Sequence, residues 1–309
     1  MTPSLVLHGG AGTIPLERMT PGEMEAHHTG LRNALLAGHR VLADGGPALD
    51  AVIAAVMALE DDPLFNAGRG AVFTHAGVQE MDAAVMDGGT LRVGAVAGIR
   101  GPRNPVLAAR AVMEHSPHVL MAGDGALAFL RAQGVEFADE SYFHTPRRWD
   151  ALQRLLAGPE KVRDDADRHG TVGAVACDAA GRLAAATSTG GMTGKLPGRI
   201  GDTPLPGAGT WADGTVAMSA TGHGESFIRI AAGHELSARM RLAGDDLYQA
   251  SHAVMTSLAG IGGDGGFVAV DPAGNIAMPF DSGGMYRGRI GADGIAHTGV
   301  HQEALLEHP

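Results

Sequence analysis

Gly170-Thr-Val-Gly-Ala-Val-Ala-Cys177, the turn Asp178-Ala-Ala-Gly181 and the run Arg182-Leu-Ala-Ala-Ala-Thr-Ser-Thr189 decide how this chain is read. Two short apolar segments flank a tight Asp/Gly turn, the pattern of a buried β-hairpin. A later stretch repeats it. Laid without a gap over Gly266 to Met285, Gly173 to Met192 matches ten of twenty residues, among them Val175/Val268, Asp178/Asp271, Gly181/Gly274 and Gly190-Gly-Met192/Gly283-Gly-Met285. Either one hairpin shape is used twice, or two buried hairpins in an Ala/Gly-rich chain converge on the same turn chemistry. Their heads differ, Gly170-Thr171 against Gly263-Asp264, so only the first offers a hydroxyl nucleophile.

Outward from the hairpin, Leu5-Val-Leu7 reads as a buried strand running into His8-Gly-Gly-Ala-Gly12, and Glu23 to Leu42 as a helix. After Pro47, the residues Leu49, Val52, Ile53, Val56 and Met57 follow at i, i+3, i+4, i+7, i+8 spacing, a core-facing helix. It stops at Glu60-Asp-Asp-Pro63, and the loop to Gly70 leads into alternating segments around Val72, Met81 to Met86 and Val93 to Ile99. Helices return from Pro105 to Glu114 and Gly123 to Gln133. Tyr142 to His169 is charged and polar and reads as a mobile linker. Strand-rich hairpins combined with helix pairs in both halves predict an α/β fold of four layers, an αββα sandwich.

Composition excludes several functions. The 309 residues are 45% apolar, enough for one large core, but only 4% aromatic with 47 glycines, so elements are expected to pack closely through small side chains. The net charge of −11, without a dense Lys/Arg cluster, argues against nucleic acid as a partner. Cys177 is the only cysteine, which rules out an internal disulfide and suits a reducing cytoplasm. Ahead of the first glycine pair there is no basic segment and too short an apolar one for a signal peptide, and the longest apolar stretch, Ala48 to Leu59, is too short to span a bilayer. No membrane association is expected. No histidine pair has zinc-ligand spacing.

Hydroxyl residues gather in three Gly-flanked places: Gly170-Thr171, Thr187-Ser-Thr189-Gly-Gly191 and Ser219-Ala-Thr221-Gly-His-Gly224, each at the end of a predicted strand. A threonine hydroxyl needs a base, and no His-containing motif at catalytic spacing stands beside any of them. Scission of the Gly170–Thr171 bond would give Thr171 an α-amine with a pKa of about 7.7–8.0 on the nucleophile itself. Gly170, lacking Cβ, suits a strained scissile position.

At this point a family resemblance accounts for the pattern. His8-Gly-Gly-Ala-Gly12, Ala48-Leu-Asp-Ala-Val52, Leu59 to Gly70, Met81 to Gly88, His169 to Val175, Thr187 to Gly191, Gly198-Arg-Ile-Gly-Asp-Thr-Pro204, Gly207-Ala-Gly209 and Thr221-Gly-His-Gly-Glu225 run in the order found in the plant-type (type III) L-asparaginases, or isoaspartyl peptidases, of the N-terminal-nucleophile (Ntn) hydrolases, which the chain resembles over nearly its whole length.

The resemblance implies a single domain cut into subunits 1–170 and 171–309 and paired as a homodimer. It implies Thr171 as nucleophile and Thr189 as the hydroxyl that positions it. Arg199 is expected to hold a substrate α-carboxylate through a planar two-bond fork and Asp202 the α-ammonium, which selects asparagine and β-aspartyl dipeptides. Thr221 and Gly222 are expected to donate to the oxyanion, with Gly224 leaving room for the substrate. No organic cofactor is implied. A structural sodium ion is, held by the backbone carbonyls of Leu59, Glu60, Asp62, Phe65, Ala67 and Arg69. The chain departs from the family pattern at Asp281-Ser-Gly-Gly-Met285, where Asn-(Ser/Thr)-x-Gly-Met is usual, in a short linker before Thr171, and in His223.

Simpler readings compete residue by residue. Thr171 read alone is an ordinary strand-start threonine, Arg199 a surface cation and Asp202 an Asx-turn residue ahead of Pro204. His8 is expected to pack at the sheet end and bond backbone. Phe280-Asp-Ser-Gly-Gly284 resembles a serine-protease nucleophile segment but lacks its framework, and no Gly-x-Ser-x-Gly elbow exists. A Gly-rich nucleotide-binding module fails because Gly194-Lys195 is followed by Leu196. Within the family, a glycosylasparaginase or a threonine protease remains the alternative.

Overall fold

A computed structural model describes residues 2–12, 19–158 and 170–308. Among the described residues, thirteen strands form two sheets. The larger is ordered β13-β12-β11-β1-β5-β6-β2-β3-β4, and the smaller β10-β9-β8-β7. In chain order the strands are β1 (Ser4–Gly12), β2 (Met81–Asp87), β3 (Arg92–Ile99), β4 (Leu120–Ala122), β5 (Val172–Cys177), β6 (Leu183–Thr189), β7 (Thr210–Ala212), β8 (Ala217–Gly222), β9 (Gly265–Val270), β10 (Ile276–Ala277), β11 (Gly284–Ile290), β12 (Ala296–Gly299) and β13 (Leu306–His308). The decisive hairpin forms as read: Val172 pairs with Ser188 and Cys177 with Leu183, while the Asp178 carboxylate accepts from the N–H of Ala180 and of Arg182 to close the turn.

Three apolar layers separate four layers of structure. The helices α1 (Pro21–Ala43), α2 (Ala48–Asp61) and α3 (Pro105–His115) lie on one face of the large sheet. Their core joins Leu31, Leu35, Val52 and Val56 to Leu5, Leu7, Val85 and Val96. Strand alternation sends the next residues the other way. Val6, Val175 and Ala185 therefore meet Val268, Val270 and Met285 between the sheets. Beyond the small sheet a third core packs Met218, Ala220 and Phe267 against Phe227, Leu236, Val254 and Leu258, from α7 (Gly224–Ile230), α8 (Ala232–Ala238) and α9 (Leu247–Gly260). The fold is the expected α/β sandwich. The scarcity of rings has its counterpart at Gly94, where a Cβ would lie 2.0 Å from the Ala109 carbonyl, so strand and helix touch backbone to backbone.

Three expectations are corrected. The segment around Val72 forms no strand, because its N–H donates to the Asn66 side chain at 3.0 Å instead of to a ladder. Of the polar stretch 142–169, residues Pro146–Leu156 form α6 behind the short α5 (Glu140–Phe143). Pro146 opens α6, and Arg148, Ala151 and Leu152 are its buried face. Residues 159–169 of that stretch lie outside the described residues. The second repeat is also shorter than the first: β10 is two residues, and Gly284 and Met285 already belong to β11, which pairs with β1 in the other sheet. The expected helix after Gly123 is present as α4 (Gly123–Ala132). Among the described residues no helix is long and apolar enough to cross a membrane.

Candidate active site

Antiparallel pairing puts the start of β5 beside the end of β6, and β8 of the facing sheet ends over them. The three hydroxyl groups therefore meet at one end of the sandwich. Thr171 Oγ1 donates to Thr189 Oγ1 at 3.1 Å, and Thr189 donates to the Gly170 carbonyl at 3.0 Å. A second donor, Asn66 Nδ2, reaches the same carbonyl at 2.7 Å and also the Gly191 carbonyl at 2.7 Å. Gly191 N–H in turn donates to Thr189 Oγ1 at 2.9 Å. Gly170 has φ +155°, a backbone region that side chains disfavour, as its position at the junction requires.

Behind Thr171 stands His8, fully buried. Its Nδ1 lies 2.8 Å from the Thr171 carbonyl, which can only accept, so Nδ1 carries the proton and Nε2 accepts from Ser219 Oγ at 2.8 Å. Burial pushes the imidazole down to about 3, with the Thr171 carbonyl opposing. It is a neutral support bonded to backbone. Thr221 Oγ1 accepts from Ala11 N–H at 3.0 Å, which keeps its own proton for a donor role.

Arg199, Asp202, Gly222 and Gly224 line the same cleft as Gly170, Thr171 and Thr189. The cleft is closed down to about 10 Å³, room for roughly one water. Arg199 uses Nε and Nη2 to hold Glu225 at 2.8 and 2.7 Å. Two of its five N–H donors are thereby engaged, and the Nη1/Nη2 edge keeps the geometry a second carboxylate needs. Glu225, held down to about 2 by these bonds, also lies 3.2 Å from His223 Nε2. Asp202 is buried with Oδ2 lacking a hydrogen-bond partner. Burial lifts its carboxyl to about 7 against the pull of Arg199. A Cβ on Gly224 would stand 2.6 Å from Asp202 Oδ1, so only glycine leaves that carboxylate open.

Of the site residues expected from sequence, Gly170, Thr171, Thr189, Arg199, Asp202, Gly222 and Gly224 line one cleft, whereas Thr221 is not part of its lining and bonds Ala11 instead. His8 bonds backbone at the sheet end as expected, whereas Asn66 and Glu225 were not foreseen in these roles. Asn66 stood inside a quoted motif, but nothing in its spacing tells where its amide points. A larger cavity of about 430 Å³, between Phe73, Arg100 and Phe143, contains none of these residues.

The loop 59–70 packs backbone against backbone at two glycines. A Cβ on Gly68 would lie 2.6 Å from the Glu60 carbonyl, and one on Gly70 would lie 2.0 Å from that of Phe65 and 2.8 Å from that of Pro63. Both positions therefore require glycine, because a side chain would run into the carbonyls of the same loop. The Asp62 and Ala67 carbonyls accept from Phe65 and Gly70 N–H at 3.2 and 3.0 Å, which leaves each a second lone pair.

A family model described as Asparaginase matches residues 1–300. An isoaspartyl peptidase of Salmonella typhimurium is 48% identical over 308 residues, covering 97% of this chain and 98% of that protein. An isoaspartyl peptidase/L-asparaginase of Xenopus laevis is 39% identical, covering 97% and 96%, and a plant-type L-asparaginase of Pyrococcus abyssi is 42% identical, covering 89% and 92%.

Proposed function

Since this chain belongs to the asparaginase family, we propose that it is an isoaspartyl peptidase and L-asparaginase that cuts itself between Gly170 and Thr171 and then uses Thr171 as its nucleophile. The observation that carries this reading is the Gly170 carbonyl, gripped by Thr189 and Asn66 beside the Thr171 hydroxyl. Attack of Oγ1 on that carbonyl carbon places the developing negative oxygen between two donors. Transfer of the acyl group to oxygen frees the amine, and water then hydrolyses the ester to release the Gly170 carboxylate.

In the turnover that follows, the Thr171 amine takes the hydroxyl proton as Oγ1 attacks the side-chain carbonyl of the substrate. Thr221 and Gly222 donate to the oxyanion, the amine returns the proton to the leaving nitrogen, and water resolves the acyl-enzyme to aspartate. Arg199 takes the substrate α-carboxylate on its open edge and Asp202 the α-ammonium. An ordinary α-peptide bond lacks one of those two groups. The closed cleft fits a precursor in which Gly170 stands where substrate will sit.

Intact mass spectrometry tests the first step, with fragments 1–170 and 171–309 expected. Side-by-side assay of asparagine, β-Asp-Leu and a glycosylated asparagine tests the second. Turnover of the glycosylated substrate alone would move the reading to glycosylasparaginase. The pH dependence should show Asp202: below about 7 its carboxylate gains a proton and no longer pairs with an ammonium. kcat/KM, which reports the free enzyme, should therefore fall more steeply with acid than kcat, and Asp202→Asn should remove the difference.

A sodium ion in the 59–70 loop would be held by the carbonyls of Leu59, Glu60, Asp62, Phe65, Ala67 and Arg69, and would stiffen the segment that carries Asn66. The thermal midpoint should then be higher in sodium chloride than in choline chloride at equal ionic strength. Equal midpoints would count against the ion. The acidic composition with its single cysteine supports a cytoplasmic enzyme, and we place it there as a homodimer of cleaved protomers acting on small molecules.

A further inference from the structure

Lys195 is a second cation at the site that the mechanism above does not use. It follows the turn after β6 and is 6% exposed, with Nζ donating to the Glu80 carbonyl at 2.7 Å. Its stem lies against Gly191, where a Cβ would meet Nζ at 2.9 Å and Cδ at 2.8 Å. Gly191 is the residue whose N–H holds Thr189 Oγ1 and whose carbonyl holds Asn66. Across the sheet, Asp82 pairs with Thr189, so the two side chains share a face. Asp82 is fully buried, with Oδ1 taking the Gly98 N–H at 2.7 Å and Oδ2 unpartnered. Burial lowers the lysine and raises the aspartate, and each charge counteracts that shift in the other. The arrangement is a separated, buried pair of opposite charges beside Thr189 and Gly191, the residues that hold the Thr171 hydroxyl in its network.

We propose that Lys195 and Asp82 are positioning residues whose opposed charges set the protonation of the Thr171 amine, and so the lower pH limit of turnover. This rests on the reading of Thr171 as the residue freed by self-cleavage. Other ionisable groups lie around the cleft: Arg199 and Asp202 line it with Thr171, Glu225 pairs with Arg199, Glu80 accepts from Lys195 through its carbonyl, Glu60 accepts from Ser188 beside Thr189, and the Asp264 backbone bonds His223. His8 is neutral. Arg199 and Asp202 are taken up by substrate in the complex, whereas Lys195 and Asp82 touch no substrate and keep their influence when it is bound. A cation disfavours a proton on the amine and an anion favours it.

The test is the acidic limb of kcat, normalised to the cleaved fraction measured by intact mass. Lys195→Gln should raise that limb by about half to one pH unit, and Asp82→Asn should lower it by a similar amount. KM should change little in both. Lys195→Arg keeps the charge and should hold the limb in place whatever its turnover. Packing damage has no reason to move the two neutral variants in opposite directions. Limbs that stay at the wild-type position, or shift the same way in both, would overturn the proposal. If instead the wild-type chain proved uncut yet active, the Thr171 reading itself would fail.

Discussion

Thr171→Ala yields a chain that remains 309 residues long after prolonged incubation and hydrolyses asparagine and β-Asp-Leu slower by a factor on the order of 10⁴ or more. One atom carries both losses. In the proposed mechanism Oγ1, held by Thr189 at 3.1 Å, attacks the Gly170 carbonyl in the precursor and the substrate in turnover. Without it no ester forms and no amine is released, so base and nucleophile vanish together. Packing should survive, because Thr171 spans only the junction ahead of β5 and the strand ladder from Val172 onward uses backbone groups. Thr171→Ser restores the hydroxyl but loses the γ-methyl that restricts its rotamer, and a measurable fraction of both reactions should return. Hydrolysis by the Ala variant at the wild-type rate, read by ammonia release, would require another nucleophile.

Asn66→Ala slows self-cleavage by about 10² to 10³-fold, followed as the loss of full-length mass with time. Removing one donor from a developing oxyanion typically raises the barrier by about 2.7–4 kcal/mol, and Asn66 Nδ2 is the shorter of the two contacts to the Gly170 carbonyl. The substitution also strands the Gly191 carbonyl and the Val72 N–H, each at a cost of about 1–3 kcal/mol when buried. The thermal midpoint should fall as well. Asn66→Asp separates the two effects: it keeps an acceptor for Val72 while presenting acceptors to two carbonyl oxygens, so cleavage should stop with less loss of helix-to-sheet packing. Wild-type cleavage in Asn66→Ala would leave Thr189 as the only donor required.

The helices and hairpins were readable where their causes are local. α1 is bounded by a capping box of Thr20 and Glu23, and the β5–β6 turn closes on the Asp178 carboxylate four residues or fewer away. Composition misled where it was weighed above spacing. Arg147-Arg-Trp-Asp150 is polar enough to resemble a linker, yet Pro146 at a first helical position and Ala151 and Leu152 on one side make it a helix. Val72 misled for the opposite reason: its neighbours alternate, but Asn66 claims its N–H.

The sequence by itself determined the layers, the hairpin that presents Thr171, and the residue types of the site, because apolar periodicity, turn chemistry and motif order depend on neighbours a few positions apart. Tertiary structure alone decided which polar groups face one another: Asn66 reaches Gly170 across 104 positions and His8 reaches Ser219 across 211. Such pairings exist because a buried donor or acceptor must be satisfied by whatever the folded layers bring within about 3 Å. Linear spacing holds no record of that proximity.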